Sequence, residues 1–284
     1  EQGGSRRGAQ MIMLADWHPD IVEFIISKMQ NPRILRYLIE NTTDESIIRL
    51  AKEKLKFKPL SAQEEAMYQS IVNFKNIQGL GGFNDAIIRE AEAKLRDGGT
   101  YSVHNPDFLT GANISVTLTN EFMHAVENDL DFELRFPDVA NYSPEEMAIY
   151  NKEWHKVGDV REWEKLGYGV RVYRTIKARE LWNLINICAT YAAEPGIFFI
   201  DNANEMTNAK AYGQQVVATN PCGEQPLAPY SVCNLAAVNL AQFAIKDSKT
   251  VDYDALRETV KVGVRMQDNV IDATPYFLEE NKTQ

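Results

Sequence analysis

Between Thr219 and Leu227 the chain reads TNPCGEQPL, and its two prolines and one glycine rule out regular helix. Apolar runs flank the stretch, from Pro195 to Ile200 and from Val232 to Leu240, with the composition of buried elements. Any fold must therefore hold a stiff, irregular loop between two buried segments. Asn220, Cys222 and Glu224 alternate along it. In an extended segment, residues two and four apart point to one face. A carboxamide, a thiol and a carboxylate would then converge on one small volume. The competing reading is a plain Pro/Gly turn that happens to contain a cysteine.

Composition narrows the partners. The 284 residues suffice for one large domain or two small ones. The net charge is −10, with acids and bases mixed along the chain and no basic tract, so a nucleic-acid polymer is not an expected partner. No apolar run reaches membrane-spanning length. Three cysteines, Cys188, Cys222 and Cys233, are too few and too unevenly placed for a disulfide framework. They fit a reducing cytoplasm, where a thiol is free to react. Glu1 opens a Gly/Arg-rich turn with no element before it, so the chain reads as an internal piece of something larger.

Strand and helix signals alternate, which argues for an α/β fold with parallel strands. Residues 9–15 form a short apolar run, broken by Asp16-Trp17-His18-Pro19-Asp20. Residues 31–99 read as a separate helical layer. In it, Ser61-Ala62-Gln63-Glu64 is a capping box, and Asn84 or Asp85 caps a helix that Gly98 and Gly99 end. Gly79-Leu80-Gly81-Gly82 lacks the lysine of a phosphate loop and reads as a linker. Residues 100–112 have loop chemistry, and Asn113 to Leu118 is a β-branched strand. Ser143-Pro144-Glu145-Glu146 is a second capping box. The stripe Ile176, Leu181, Leu184, Ile185 and Cys188 predicts a helix over 176–193 with a buried thiol. Gly196 to Ile200 is apolar throughout, so both its faces should be buried, and Asp201 to Asn204 follow as a polar turn. Val232 to Leu240 should carry Cys233 into a buried segment. Residues 252–280 read as largely helical, broken at Pro275.

Cys222 needs a base or a radical generator to react. None of the four histidines, His18, His104, His124 and His155, is near it in sequence. A zinc site built on Cys222 and Cys233 lacks further ligands at suitable spacing. What remains is a set of groups able to grip a polyhydroxyl substrate, with the acid exchanging a hydroxyl proton while sulfur does one-electron chemistry.

The segment NPCGEQPL, followed by SVCNLAAVNL, resembles the large catalytic subunit of ribonucleotide reductase. The GEQPL ending is most similar to the adenosylcobalamin-dependent class II enzymes. GGSRRGAQM, WHPDIVEFI, GANISVTLTNEFMHAV, ARELWNLI, EPGIFFIDNAN and RMQDNVIDATPYF agree in order. The resemblance runs from end to end apart from 31–99, which is longer than the connection many relatives have there.

The resemblance implies a partial ten-stranded α/β barrel, roughly its first half, with the helical insertion at 31–99 and residues 219–227 as the finger loop. Cys222 matches the cysteine that becomes a thiyl radical and removes the ribose 3′ hydrogen. Glu224 matches the acid/base on the 3′ hydroxyl, and Asn220 the amide that binds substrate hydroxyls. Cys233 matches one half of the redox pair that reduces the substrate; its partner cysteine would precede residue 1. Residues 100–113, through Asn105, Asp107, Phe108, Thr110 and Asn113, sit where a specificity loop reads dNTP or ATP effectors. Adenosylcobalamin and an external dithiol such as thioredoxin are the implied cofactors. Ribonucleotides are the implied substrates, and complementary segments of the same enzyme, with a possible homodimer, the implied partners. Two alternatives stay open: a non-catalytic remnant that binds nucleotides or a subunit, and a segment of a class I large subunit fed by a second protein's radical.

Overall fold

A computed structural model describes residues 8–74, 85–104 and 111–283. The chain divides into two compact units, Glu1–Pro226 and Leu227–Gln284. The readings placed on Gly79–Gly82 and on Asn105, Asp107, Phe108 and Thr110 lie outside the described residues.

In the first unit the elements run β1 (Met11–Ala15), α1 (Ile21–Ile26), α2 (Pro32–Asn41), α3 (Glu45–Lys54), β2 (Leu55–Pro59), α4 (Ala62–Phe74), α5 (Asp85–Asp97), β3 (Gly99–Val103) and β4 (Asn113–Leu118). They continue as α6 (Asn120–Glu127), β5 (Asp131–Pro137), α7 (Pro144–Val157), α8 (Val160–Lys165), β6 (Val170–Lys177), α9 (Ala178–Ala192), β7 (Gly196–Phe199) and α10 (Ile200–Met206). The fold is mixed α/β around a three-stranded parallel sheet of order β1-β4-β7. No closed barrel is present among the described residues.

The central strand explains the register. In β4, Ile114, Val116 and Leu118 are buried on one face and Ser115 and Thr117 on the other. A strand covered on both faces is what a parallel sheet requires. Met11 lies opposite Asn113, and Ser115 opposite Gly196. Gly196 is needed at that crossing, because an added Cβ would stand 2.5 Å from the Ser115 hydroxyl. Strand β7 is not buried on both faces as its composition suggested: Ile197 is 38% and Phe199 42% exposed. Among the described residues it is an edge strand, and β4 takes the covered central position instead. The expected turn at 201–204 lies within helix α10.

The core is built by helices laid on this sheet. Ile21, Ile25 and Ile26 of α1, Leu35 and Leu38 of α2, Ile47 and Ala51 of α3, Phe122 of α6, and Leu181, Leu184, Ile185 and Cys188 of α9 form one buried cluster. The 31–99 segment thus contributes α2 and α3 to the main core. It also contains strand β2, which pairs antiparallel with β3. Only α4 fits an outer layer, since none of its residues is buried. Ile176 belongs to β6, a strand paired antiparallel with β5, and the helix over 176–193 begins at Ala178. Both capping boxes form, on Ser61 with Glu64 and on Ser143 with Glu146.

The second unit contains α11 (Tyr253–Ala273) and a short ladder between Ala244–Ile245 and Thr250–Val251. Residues 232–239 are irregular, and Val232, Leu235 and Leu240 are more than half exposed. The expected burial of this run is therefore not found. It has no strand partner among the described residues, and Val232, Leu235 and Leu240 stay largely open.

Candidate active site

Residues 219–226 form a compact turn rather than an extended segment. Asn220, Pro221, Cys222 and Gly223 occupy its four positions, closed by the Gly223 N–H donating to the Asn220 carbonyl at 3.0 Å. Asn at the first position, Pro at the second and Gly at the fourth are the preferences of a type I turn. Gly223 has φ +82°, a conformation that residues with a side chain rarely adopt. The chain then returns on itself: the Asn220 N–H donates to the Gln225 carbonyl at 3.2 Å, and the Gln225 N–H donates to Asn220 Oδ1 at 3.0 Å.

The alternation argument placed Asn220, Cys222 and Glu224 on one face of an extended strand. The turn overrides it, because Pro221 and Gly223 bend the backbone between them. Asn220 and Glu224 still meet, with Asn220 Nδ2 donating to Glu224 Oε1 at 2.5 Å across the turn. Cys222 sits at the third turn position as an exposed free thiol, with no side-chain hydrogen bond among the described residues. A carboxamide spent on positioning a carboxylate, beside an uncommitted thiol, is an arrangement that can exchange a proton and use sulfur independently.

The turn is tied to two strands of the sheet, at the middle of β1 and the start of β4. The Thr219 N–H donates to Met13 Sδ on β1 at 3.2 Å. Asn113, the first residue of β4, donates from Nδ2 to the Pro221 carbonyl at 2.7 Å. A cleft of about 530 Å³, lined by Met11, Asn113, Glu194, Phe198, Thr219 and Cys222 among others, opens beside the thiol. That volume lies within the range of small-molecule sites.

The other two thiols contrast with this one. Cys188 is fully buried on α9, and burial pushes its thiol up to about 12, so it stays protonated and inert. Cys233 lies in the second unit and is exposed rather than buried.

Several charged residues near the sheet were not anticipated. Lys28, buried just after α1, donates to Glu194 Oε2 at 2.6 Å and to the Ala112 carbonyl. At the opposite, C-terminal ends of the strands, Asp16 follows β1 and is completely buried. Its Oδ2 accepts the Thr119 N–H at 2.5 Å, while Oδ1 has no hydrogen-bond partner among the described residues. Burial pushes the Asp16 carboxyl up to about 7, against the opposing pull of Thr119 and Arg161. Beyond β7, Asp201 accepts a two-pronged contact from Arg161 at 2.7 Å and the Asn120 N–H at 2.7 Å. Arg161 holds the Asp201 carboxyl below its ordinary range. The usable signal for Asp16 was an acid directly after an apolar strand. Lys28 carried none.

The family model described as ribonucleotide reductase, barrel domain, matches residues 1–284. A vitamin B12-dependent ribonucleoside-diphosphate reductase of Thermoplasma acidophilum is 28% identical over 282 residues, covering 99% of this chain and 23% of that protein. One of the same description from Mycobacterium tuberculosis (strain CDC 1551 / Oshkosh) is 30% identical over 195 residues, 69% of this chain and 23% of its own length. A ribonucleoside-diphosphate reductase large chain of Cryptosporidium parvum is 34% identical over 165 residues, 57% of this chain and 19% of its own. The chain thus spans roughly a fifth of the length of these relatives.

Proposed function

This chain belongs to the ribonucleotide reductase family, as part of its barrel domain, and from that premise we propose that it is the central catalytic segment of an enzyme that reduces ribonucleotides to 2′-deoxyribonucleotides by thiyl-radical chemistry. The three-stranded parallel sheet with its covering helices is the portion of a ten-stranded α/β barrel that this segment supplies. Residues 219–227 are the finger loop of that barrel. The observation that carries the reading is the turn itself: an exposed Cys222 thiol next to a Glu224 carboxylate held by Asn220.

In this reading Cys222, as a thiyl radical, takes the hydrogen atom from ribose C3′, leaving a carbon radical and a restored S–H. Glu224 accepts the 3′ hydroxyl proton, and Asn220 binds substrate hydroxyls. The 2′ hydroxyl takes a proton from a reducing dithiol and leaves as water, and the dithiol's other hydrogen goes to C2′. The two electrons come from a dithiol made of Cys233 and a cysteine of another segment, which becomes a disulfide and is reset by an external dithiol such as thioredoxin. The 3′ hydrogen then returns from Cys222 to C3′. Asn105, Asp107, Phe108, Thr110 and Asn113 are proposed for effector readout, on their position in the chain.

The names of the relatives point to adenosylcobalamin as the radical source. The exposure of Cys222 fits a group that reaches the thiol from outside the described residues, and none of these is assigned to hold it. When bound, such a group supplies the one-electron oxidation of the thiol.

The acid/base role is tested by Glu224→Gln in the complete protein. Glutamine keeps an oxygen to accept the Asn220 amide, so the turn is retained and only proton exchange is lost. Deoxynucleotide production should fall by about 10²- to 10⁴-fold. Parental rates in this variant would remove Glu224 from the mechanism.

A further inference from the structure

We propose that Lys28 and Glu194 are positioning residues for the Cys222 turn, acting through Asn113. The chain of contacts is continuous and begins in the core. Lys28 has only 6% of its side chain exposed, a costly place for an ammonium unless it is paired and hydrogen-bonded. Both conditions are met, and both partners bear on one short stretch of backbone. Lys28 Nζ donates to the Ala112 carbonyl and to Glu194 Oε2, while Glu194 Oε1 accepts the Ile114 N–H at 2.9 Å. The residues on either side of Asn113 are therefore held through their backbone polar groups by a single ion pair. The Asn113 N–H itself donates to the Gln10 carbonyl at 2.8 Å.

Strand alternation does the rest. Ala112 and Ile114 are buried, so Asn113 between them is exposed and its side chain stands on the opposite side of the strand. From there Nδ2 donates to the Pro221 carbonyl at 2.7 Å. That carbonyl lies in the peptide plane joining Pro221 to Cys222. Because the peptide unit is planar, holding its oxygen fixes the rotation of the plane immediately before the reacting thiol. The direction in which Cys222 projects its sulfur is thus referred back to a buried ion pair rather than left to the turn alone. The functional importance of this relay rests on the proposed role of Cys222. The relay itself does not.

Three amide protons inside the turn, those of Asn220, Gly223 and Gln225, report on it directly. Hydrogen exchange of the 284-residue chain is compared for the parent, Asn113→Ala, Asn113→Gln and Lys28→Arg. Loss of one hydrogen bond in Asn113→Ala should speed exchange at these three amides by about fivefold, with β4 amides 115–118 unchanged. Asn113→Gln, which keeps the amide donor, should recover most of the protection. Lys28→Arg keeps the charge but misplaces it, and should speed exchange at Ile114 and in the turn together. In the complete enzyme, Asn113→Ala should lower kcat with KM unchanged. Turn exchange identical in Asn113→Ala and the parent would overturn the relay, as would an acceleration spread evenly over the whole first unit. Faster turn exchange without any Cys222-dependent turnover would leave the relay standing and retire the radical reading instead.

Discussion

Cys222→Ser in the complete protein is expected to abolish deoxynucleotide formation, by at least about 10³-fold, or roughly 4 kcal/mol of barrier. The substitution is nearly isosteric, and the side chain it changes is exposed and makes no hydrogen bond among the described residues. Folding, the Asn220–Glu224 contact and the Asn113 tether to Pro221 should all survive it. What it removes is the weak S–H bond: a serine O–H is much harder to break homolytically and cannot cycle hydrogen with a ribose carbon. The measurement is deoxynucleotide produced from a ribonucleotide with adenosylcobalamin and a dithiol supplied, with circular dichroism as the folding control. Cys188→Ser, at a buried and protonated thiol, should leave turnover per folded molecule unaltered. Substantial turnover by the Cys222→Ser protein would end the radical assignment, whatever the family resemblance.

A second large effect concerns stability and pH. Asp16 titrates near 3.8 in the unfolded chain and near 7 when folded, because burial disfavours its charged form. Between those values the folded state keeps a proton that the unfolded state has released. The stabilisation is therefore full below pH 3.8 and is lost as pH climbs to about 7, a swing of about 4 kcal/mol. His18, half-buried with its pKa lowered by desolvation, acts in the opposite sense. It favours the folded state as pH rises towards 6.5, so the parent's profile is a compromise of the two. The difference between parent and Asp16→Asn isolates the carboxyl. Asparagine keeps an oxygen for the Thr119 N–H but has no proton to lose. Urea midpoints taken from pH 5 to 8 should show the parent losing stability relative to Asp16→Asn across the interval. Parallel profiles would mean that Asp16 does not titrate there.

Local signals were legible in the sequence; signals that depend on distant partners were not. Each capping box needs only four consecutive residues, and both formed as read. Strand Asn113–Leu118 and the α9 stripe were also readable, because period and composition agree within one element. Strand β6, by contrast, is mostly exposed and becomes a strand by pairing with β5 some forty positions earlier. The same limit applied to burial. Whether Ile197 and Phe199 are covered depends on which strand lies outside β7, and no property of GIFF decides it. At the site, residue identities carried further than geometry. Asn220 and Glu224 do meet, but across a turn made by Pro221 and Gly223 rather than along the extended strand that their alternation suggests. Lys28 and Glu194 left no trace at all, since 166 positions separate them and neither sits in a recognisable pattern.

The open flank of β7 has a consequence for handling the protein. Backbone groups that find no strand partner among the described residues, next to Ile197 and Phe199, form a sticky template of the kind natural proteins cap with charge, proline or a covering element. The four residues of β7 carry no such gatekeeper. Produced as this 284-residue chain, the protein should therefore show concentration-dependent self-association seeded at that edge. Recovery from denaturant should improve with dilution more than with changes of salt.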